Sequence, residues 1–363
     1  MLLYIHIPFC DSKCFYCAFN SYSTKANLKE SYMKALNIQL QENIKKHLRI
    51  ENKTIDTIFI GGGTPSTINP SLYKEIFNNL QEFYSKDIEI TCEANPNSAT
   101  KEWQKQMFDL GVNRISFGVQ SFDNDKLKFL GRNHNTNNAI KAIQNAKCIG
   151  FNSINCDIIY GLQNDSFDSL KQDFDILSNL KVEHISAYSL IIEENTKFFI
   201  DEHELQKSNQ SLKIDDEELS YKLFNYLQTL GYKQYEIANF SKDKKFESKH
   251  NFGYWSYKEY LGIGAGAVAC IKNRREYSQI KIEEYINNPL NIDTEILSQL
   301  DIKREKVLLG LRSRVGIDLS ILNKNEIARV KILQNENKIC INNNTVYNIN
   351  FSIADELALY ILD

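Results

Sequence analysis

Three cysteines stand within eight positions near the start of this 363-residue chain, as Cys10-Asp11-Ser12-Lys13-Cys14-Phe15-Tyr16-Cys17. A C-x3-C-x2-C loop can place three thiolates on three corners of an iron–sulfur cubane and leave the fourth iron open. An open iron is a Lewis-acidic seat that the amino and carboxylate groups of S-adenosylmethionine (SAM) can chelate. Electron transfer into the sulfonium would then break its C5′–S bond and give a 5′-deoxyadenosyl radical, chemistry the cofactor supplies while the protein positions it and excludes water. The competing use of three thiolates is structural zinc. That ion normally takes four ligands, and no fourth Cys or paired His stands at a standard spacing. Cys10, Cys14 and Cys17 are therefore expected to hold a 4Fe-4S cluster.

Further along, Gly61-Gly62-Gly63-Thr64-Pro65 lets the backbone approach a ligand closely, which suits the SAM amino group, although tight turns use the same residues. Glu93, Gln120, Arg132 and Asp157 stand at the ends of later apolar runs and offer polar partners for ribose, carboxylate and adenine. Taken singly, each reads more readily as structural than as functional, and only together do they suit SAM. His250-Asn251-Phe252-Gly253-Tyr254-Trp255 joins an imidazole, a fit axial ligand for heme iron, to flat aromatic rings that suit a macrocycle. The plainer alternative for His250 is a packed aromatic loop with a hydrogen-bonded histidine. His6, His47, His134, His184 and His203 take that plainer reading, with His134 notable for lying beside Arg132.

The elements that must carry these residues follow from periodicity. Apolar runs at Leu2–Phe9, Thr54–Gly61, Ile88–Asn95, Arg114–Ser121, Ile154–Leu162 and His184–Ile192 alternate with helical patterns. In Asn27–Ile50, Leu28, Tyr32, Leu36, Leu40, Ile44 and Leu48 recur every fourth residue and form one apolar stripe. Similar patterns fill Ser71–Tyr84, Lys101–Leu110, Asn137–Ile149 and Ser166–Leu180. Serial strand–helix units predict an α/β fold with a parallel sheet and outer helices. Six units are too few for a closed eight-stranded barrel, so an open, three-quarter β/α barrel is expected, with its chemistry at the C-terminal ends of the strands.

Past residue 200 the pattern changes. A helix is expected over 215–230, then an aromatic, glycine-rich stretch from Tyr232 to Ala269. Next come a helix at Arg304–Arg314, a short helix after Gly316, a hairpin at Lys338–Ile349 and a last helix at Ile353–Leu362. The expected division is a partial barrel over 1–200, a barrel extension over 201–300, and a C-terminal α+β, winged-helix-like appendage over 301–363.

Composition narrows the function. Hydrophobic residues at 42%, charged residues at 25% and a net charge of −3 describe an ordinary globular chain without the clustered basic surface that nucleic acid demands. No stretch nears the roughly 18 apolar residues of a membrane span, and the N-terminus lacks a signal-peptide pattern. A cytoplasmic protein is expected, with room for peripheral contact at the inner face of the cell membrane. Cys92, Cys148, Cys156, Cys270 and Cys340 read as small buried hydrophobes.

The motifs together resemble a known radical SAM family. The chain is similar to the family of oxygen-independent coproporphyrinogen III dehydrogenase (HemN) and the heme chaperone HemW over Tyr4 to about Leu319. The resemblance rests on Tyr-Ile-His-Ile-Pro-Phe-Cys at 4–10, Gly61–Pro65, Glu93-Ala94-Asn95-Pro96, Gly118–Phe122, Gly131–His134 and His184–Leu190. It implies SAM contacts from Tyr4, Tyr16, Gly62, Gly63, Thr64, Glu93, Gln120, Arg132, Asp157 and Ala187. Phe19 stands where the dehydrogenase branch has a fourth cysteine, and His250 to Trp255 matches the chaperone's His-Asn-x-x-Tyr-Trp, so the chaperone branch is favoured. That branch implies heme as a third cofactor bound through His250, delivery to client apoproteins of the respiratory chain, a monomer or homodimer, and no catalytic residue. The rival within the family is oxidative decarboxylation of coproporphyrinogen III to protoporphyrinogen IX. Two stretches depart from the family: Gln163-Asn164 replaces Pro-Gly, and Val268-Ala269 replaces His-Ser.

Overall fold

The computed structural model describes residues 1–208, 210–214 and 217–363. Six strands, β1 (Leu2–Ile7), β2 (Ile55–Gly62), β3 (Tyr84–Ala94), β4 (Arg114–Gln120), β5 (Ser153–Tyr160) and β6 (His184–Ser189), lie side by side in sequence order, all parallel. Helices Lys29–Asn43, Lys74–Leu80, Lys101–Asp109, Thr136–Ile149 and Phe167–Asn179 connect them. Their starts are written locally: the Thr100 side chain accepts from Trp103 N at 3.1 Å, and Asn135 and Ser166 each close a reciprocal cap. Tyr32, Leu36, Leu40, Ile44 and Leu48 of the predicted stripe are all buried, packed with Leu3, Ile5, Ile7, Ile58 and Ile60 in one large core.

Because strand side chains alternate, the residues between those core positions face the other way, into the barrel. That inner face is polar. Asn155 Nδ2 donates to Ser116 Oγ and to Asp157 Oδ1, both at 2.8 Å, and His184 Nδ1 meets Asn155 Oδ1 at 2.6 Å. A barrel with this lining is built around a polar ligand site rather than around a dry core.

A seventh parallel strand was not legible as such. β9 (Tyr260–Ile263) pairs with the outer edge of β1 and continues into the antiparallel strands β10 (Val268–Ile271), β11 (Arg274–Ser278) and β12 (Ile292–Ile296). At the opposite end, β6 pairs antiparallel with β8 (Asn239–Ser241), which pairs with β7 (Lys233–Gln234). The sheet runs from β12 to β7 without closing, so the barrel is partial, as expected.

The expected helix over 215–230 is seen as Glu217–Thr229; Asp215 and Asp216 lie outside the described residues. At the C-terminus, helices Gln299–Leu311, Lys324–Asn335 and Ala354–Leu362 pack on a three-stranded antiparallel sheet. They share a second core around Val307, Leu311, Val330, Leu333, Leu357 and Ile361. The first helix begins earlier than periodicity suggested because Ser298 and Asp301 form a reciprocal cap. Asn343 and Asn344, both at positive φ, turn the hairpin between Ile339–Asn342 and Thr345–Asn348. The unit is tied to the barrel by Arg314 N donating to Tyr235 O at 3.0 Å and by the Arg314–Glu247 ion pair at 2.5 Å.

Two cysteines depart from the expectation. Cys92, Cys156 and Cys270 are buried, but Cys148 and Cys340 are exposed. Cys148 falls on the solvent face of its helix and Cys340 on the outer side of the hairpin. Among the described residues, no helix is long and apolar enough to cross a membrane.

Candidate functional site

The cysteine loop leaves β1 and is pinned at both ends. Tyr22 N donates to Pro8 O at 2.7 Å and Cys10 N to Tyr22 O at 3.1 Å; farther along, Phe15 N donates to Leu130 O at 3.1 Å. The three thiols are half-buried. Thr64 Oγ1 donates to Cys10 Sγ at 3.4 Å, and Arg132 Nη1 donates to Cys14 Sγ at 3.3 Å. Arg132 is fixed by a second bond, Nη2 to Gly118 O at 2.7 Å, and also meets the Tyr16 phenol. Burial pushes the Cys17 thiol and the Tyr16 phenol up. A buried thiol becomes a thiolate most readily when it binds a cation such as iron.

The glycine loop at the end of β2 lies against this cysteine loop. A Cβ on Gly63 would stand 2.8 Å from Phe9 O and 3.1 Å from Cys10 Sγ. Gly62 sits at φ +111°, and a Cβ there would stand 2.5 Å from the His6 ring. Side chains are excluded so that backbone and cysteines can share a narrow space.

Against the glycine loop lies a pair of half-buried carboxyls, Glu93 and Asp157. Glu93 Oε2 accepts from Gly62 N at 3.1 Å. Burial, and then the neighbouring Asp157 carboxyl, push Glu93 up to about 8, against the opposing pull of the Gly62 N–H and Arg114. Burial also raises Asp157, which Asn155 holds. Two neighbouring acids, both raised by burial and one of them also by the other's charge, form a socket for a cationic ligand group. Gln120, at φ +67°, stands where β4 and β5 slip register, and its amide and the Arg132 guanidinium both crowd Gly118.

Tyr4 faces the same space. Its ring is stacked on Phe59, with centroids 6.3 Å apart, and its hydroxyl lies 2.9 Å from His6 Nδ1. His6 Nε2 lies 2.9 Å from the Asn20 carbonyl, which can only accept, so Nε2 carries the proton and Tyr4 donates to Nδ1. Two further residues bear on the site: His6, whose sequence context suggests only a hydrogen-bonded histidine, and Arg114, which no motif marks. His6 links Tyr4 to the chain just past the cysteines, and Arg114 is a buried guanidinium whose charge bears on both Glu93 and Asp157. The signal available was their place on inward-facing strand positions.

The residues present fit a 4Fe-4S cluster that Cys10, Cys14 and Cys17 would hold, together with SAM. Of the three thiols, Cys10 meets a hydroxyl and Cys14 a guanidinium, glycines clear the approach, and an acidic socket lies against the glycine loop. Among the described residues no group of three His, Cys, Asp or Glu side chains is placed to hold a single ion. When bound, the cluster and SAM would supply one-electron chemistry at the sulfonium. The chain's own residues hold the thiolates, neutralise charge and exclude water.

Ala187 pairs with Ile158, the residue after Asp157. Ala187 is buried on β6, donates its N–H to Ala238 O at 2.8 Å, and lines a groove at that edge of the barrel. His250 departs from the expectation of a heme ligand. Its helix, Lys249–Trp255, is capped by Ser248 and by Glu89, which accepts from Lys249 N and His250 N, both at 3.0 Å. The imidazole is 1% exposed, its Nδ1 is 2.7 Å from Thr57 Oγ1, and its ring packs against Phe59 and Tyr254. Burial pushes it down to about 3, so it is neutral. It closes the floor of the barrel and presents no face to a macrocycle. His250→Ala is therefore expected to cost about 2–4 kcal/mol of stability, from a lost buried ring and an orphaned Thr57 hydroxyl. A urea midpoint unchanged from wild type would show that the ring is not a structural floor.

Comparisons with known proteins show the family and the fold. Residues 4–177 match the model of the radical SAM superfamily. The heme chaperone HemW of Bacillus subtilis is 35% identical over 325 residues, spanning 86% of this chain and 84% of that protein. HemW of Escherichia coli is 35% identical over 272 residues, spanning 73% of this chain and 68% of that protein. The solved structure of coproporphyrinogen III oxidase (HemN) from Escherichia coli, a radical SAM enzyme, superposes with a TM-score of 0.81. That match covers 99% of this chain and 89% of the other at 18% identity, a likeness of fold. This chain belongs to the HemN/HemW family of radical SAM proteins, whose members imply a 4Fe-4S cluster and SAM.

Proposed function

We propose that this chain is a heme chaperone, which binds heme and passes it to apoproteins, those of the membrane respiratory chain foremost. The observation that carries this reading is the likeness to HemW relatives along 86% of the chain, joined to Phe19 in the place of the dehydrogenase's fourth cysteine. In this reading Cys10, Cys14 and Cys17 hold the cluster. Tyr4, Tyr16, Gly62, Gly63, Thr64, Glu93, Gln120, Arg132 and Asp157 surround SAM, with Ala187 at the margin. Residues 1–200 carry the cofactors, 201–300 complete the barrel, and 301–363 form an appendage. The protein works in the cytoplasm at the inner face of the cell membrane, as a monomer or homodimer, and handles no nucleic acid.

The rival reading, oxidative decarboxylation of coproporphyrinogen III, shares the same fold. The two separate in one anaerobic assay of the reconstituted protein with reductant, SAM and coproporphyrinogen III. The expected result is no protoporphyrinogen, while heme-loaded protein restores heme to an apo-acceptor. Protoporphyrinogen formed with stoichiometric loss of SAM would overturn the chaperone reading.

A further inference from the structure

Between the β6 edge of the barrel and the C-terminal unit lies a groove of about 1440 Å3. It exceeds the roughly 300–1,000 Å3 of ordinary small-molecule sites. Tyr188 of β6, Tyr221 and Phe224 of helix Glu217–Thr229, Trp255, and Phe351 of the C-terminal unit all line it. Tyr188 is 43% exposed and Tyr221 70%. Large aromatic rings left open to solvent around one cleft mark a surface for a flat apolar partner. The groove also receives Tyr160, Ala187 and Ser189, from the C-terminal ends of β5 and β6. Its lining thus reaches the C-terminal ends of two barrel strands. Asn251 and Trp255 line it from the helix whose His250 turns into the barrel floor, so one motif serves both faces.

Its charge is lopsided. Glu217, Glu218, Glu236 and Glu356 line the groove against Lys233, with Glu218 also paired to Lys222. An acidic wall repels each added carboxylate on a ligand, which is a means of rejecting a close analogue.

We propose that this groove is the macrocycle site, gripping a tetrapyrrole by its faces, and that its acidic lining selects dicarboxylate porphyrins over tetracarboxylate ones. The inference rests on the heme reading above and adds to it the place and the discrimination. A chaperone so built takes the finished macrocycle and refuses its tetracarboxylate precursors, without relying on His250 as a ligand.

The test is an equilibrium titration of the full, cluster-loaded protein, using hemin for the site and metal-free protoporphyrin IX and coproporphyrin III for the charge. Tyr221→Ala and Trp255→Ala are each expected to weaken hemin binding about tenfold, as loss of a stacking ring does. Coproporphyrin III is expected to bind about tenfold more weakly than protoporphyrin IX, with E217Q/E356Q narrowing that gap. Tyr221 stands on an exposed helix face, so its variant folds even if Trp255→Ala does not. Hemin affinity unchanged in Tyr221→Ala and in a folded Trp255→Ala would overturn the site, and coproporphyrin binding as tightly as protoporphyrin would overturn the selection. Wild-type protein that binds no hemin would instead bring down the chaperone reading itself, before any variant is compared.

Discussion

Cys14→Ala is expected to strip the reconstituted protein of its broad iron–sulfur absorbance and of most of its bound iron and sulfide. A cubane with one open iron has three protein anchors, and the loop provides no spare thiol, since Phe19 stands two positions after Cys17. The loss reaches past one bond. Arg132 Nη1 donates to the Cys14 sulfur, and without it a buried guanidinium loses one of its acceptors while keeping Gly118 O. Binding energy held by the cluster is also folding energy, so the variant should lose the stabilisation that reconstitution gives the wild type. The control is Cys148→Ser with Cys340→Ser: both cysteines are exposed and far along the chain from the loop, and the pair should load iron normally. Full iron and sulfide content in Cys14→Ala would mean that other cysteines hold the cluster.

Glu93→Gln is expected to act in opposite directions on the empty and the SAM-bound protein. The folded carboxyl lies at about 8, raised from 4.5 by burial and by Asp157. A raised acid keeps its proton in the folded state while the unfolded chain loses it, so stability falls as pH rises from the unfolded value towards about 8. The cost is on the order of a few kcal/mol, and the glutamine removes it. The variant without SAM should therefore resist urea better than wild type at pH 8 and match it near pH 4. SAM affinity should move the other way. A cationic ligand group pairs with the ionised carboxylate, so wild-type binding strengthens from pH 6 to pH 8, and the variant binds about tenfold or more weakly with a flatter profile. Urea midpoints and SAM titrations at those pH values check both parts. A variant that kept wild-type SAM affinity and pH slope would remove Glu93 from the site.

These expectations draw on two kinds of information in the chain. Where function depends on near neighbours in sequence, the residues announce it. The spacing of Cys10, Cys14 and Cys17 defines a three-thiolate loop without reference to anything else, and the glycines at 61–63 declare a close backbone approach. The six long strands were legible for a similar reason: each is an apolar run of adequate length, separated from the next by a helix with its own caps. Strand β9 was not, because four residues, Tyr260–Ile263, carry too little pattern to be told from a loop until the edge of β1 accepts them.

Sites that depend on distant residues behaved differently. Glu93 and Asp157 each read as an ambiguous strand-end acid. The parallel register of β3, β4 and β5 brings them together, so that the Asp157 charge raises Glu93. His250 shows the converse. Its motif declared an aromatic, imidazole-bearing segment correctly, but a seven-residue helix can turn any face inward, and capping by Glu89 and the bond to Thr57 direct the ring to the barrel floor. The chain by itself thus determined the three-cysteine loop, the strand–helix alternation and the family. Which acids face each other, which side of the motif meets solvent and where a macrocycle-sized groove opens were left to packing. The reason is physical: ligand spacing on a loop is limited by covalent geometry, whereas burial and charge coupling arise from residues that meet only when the sheet assembles.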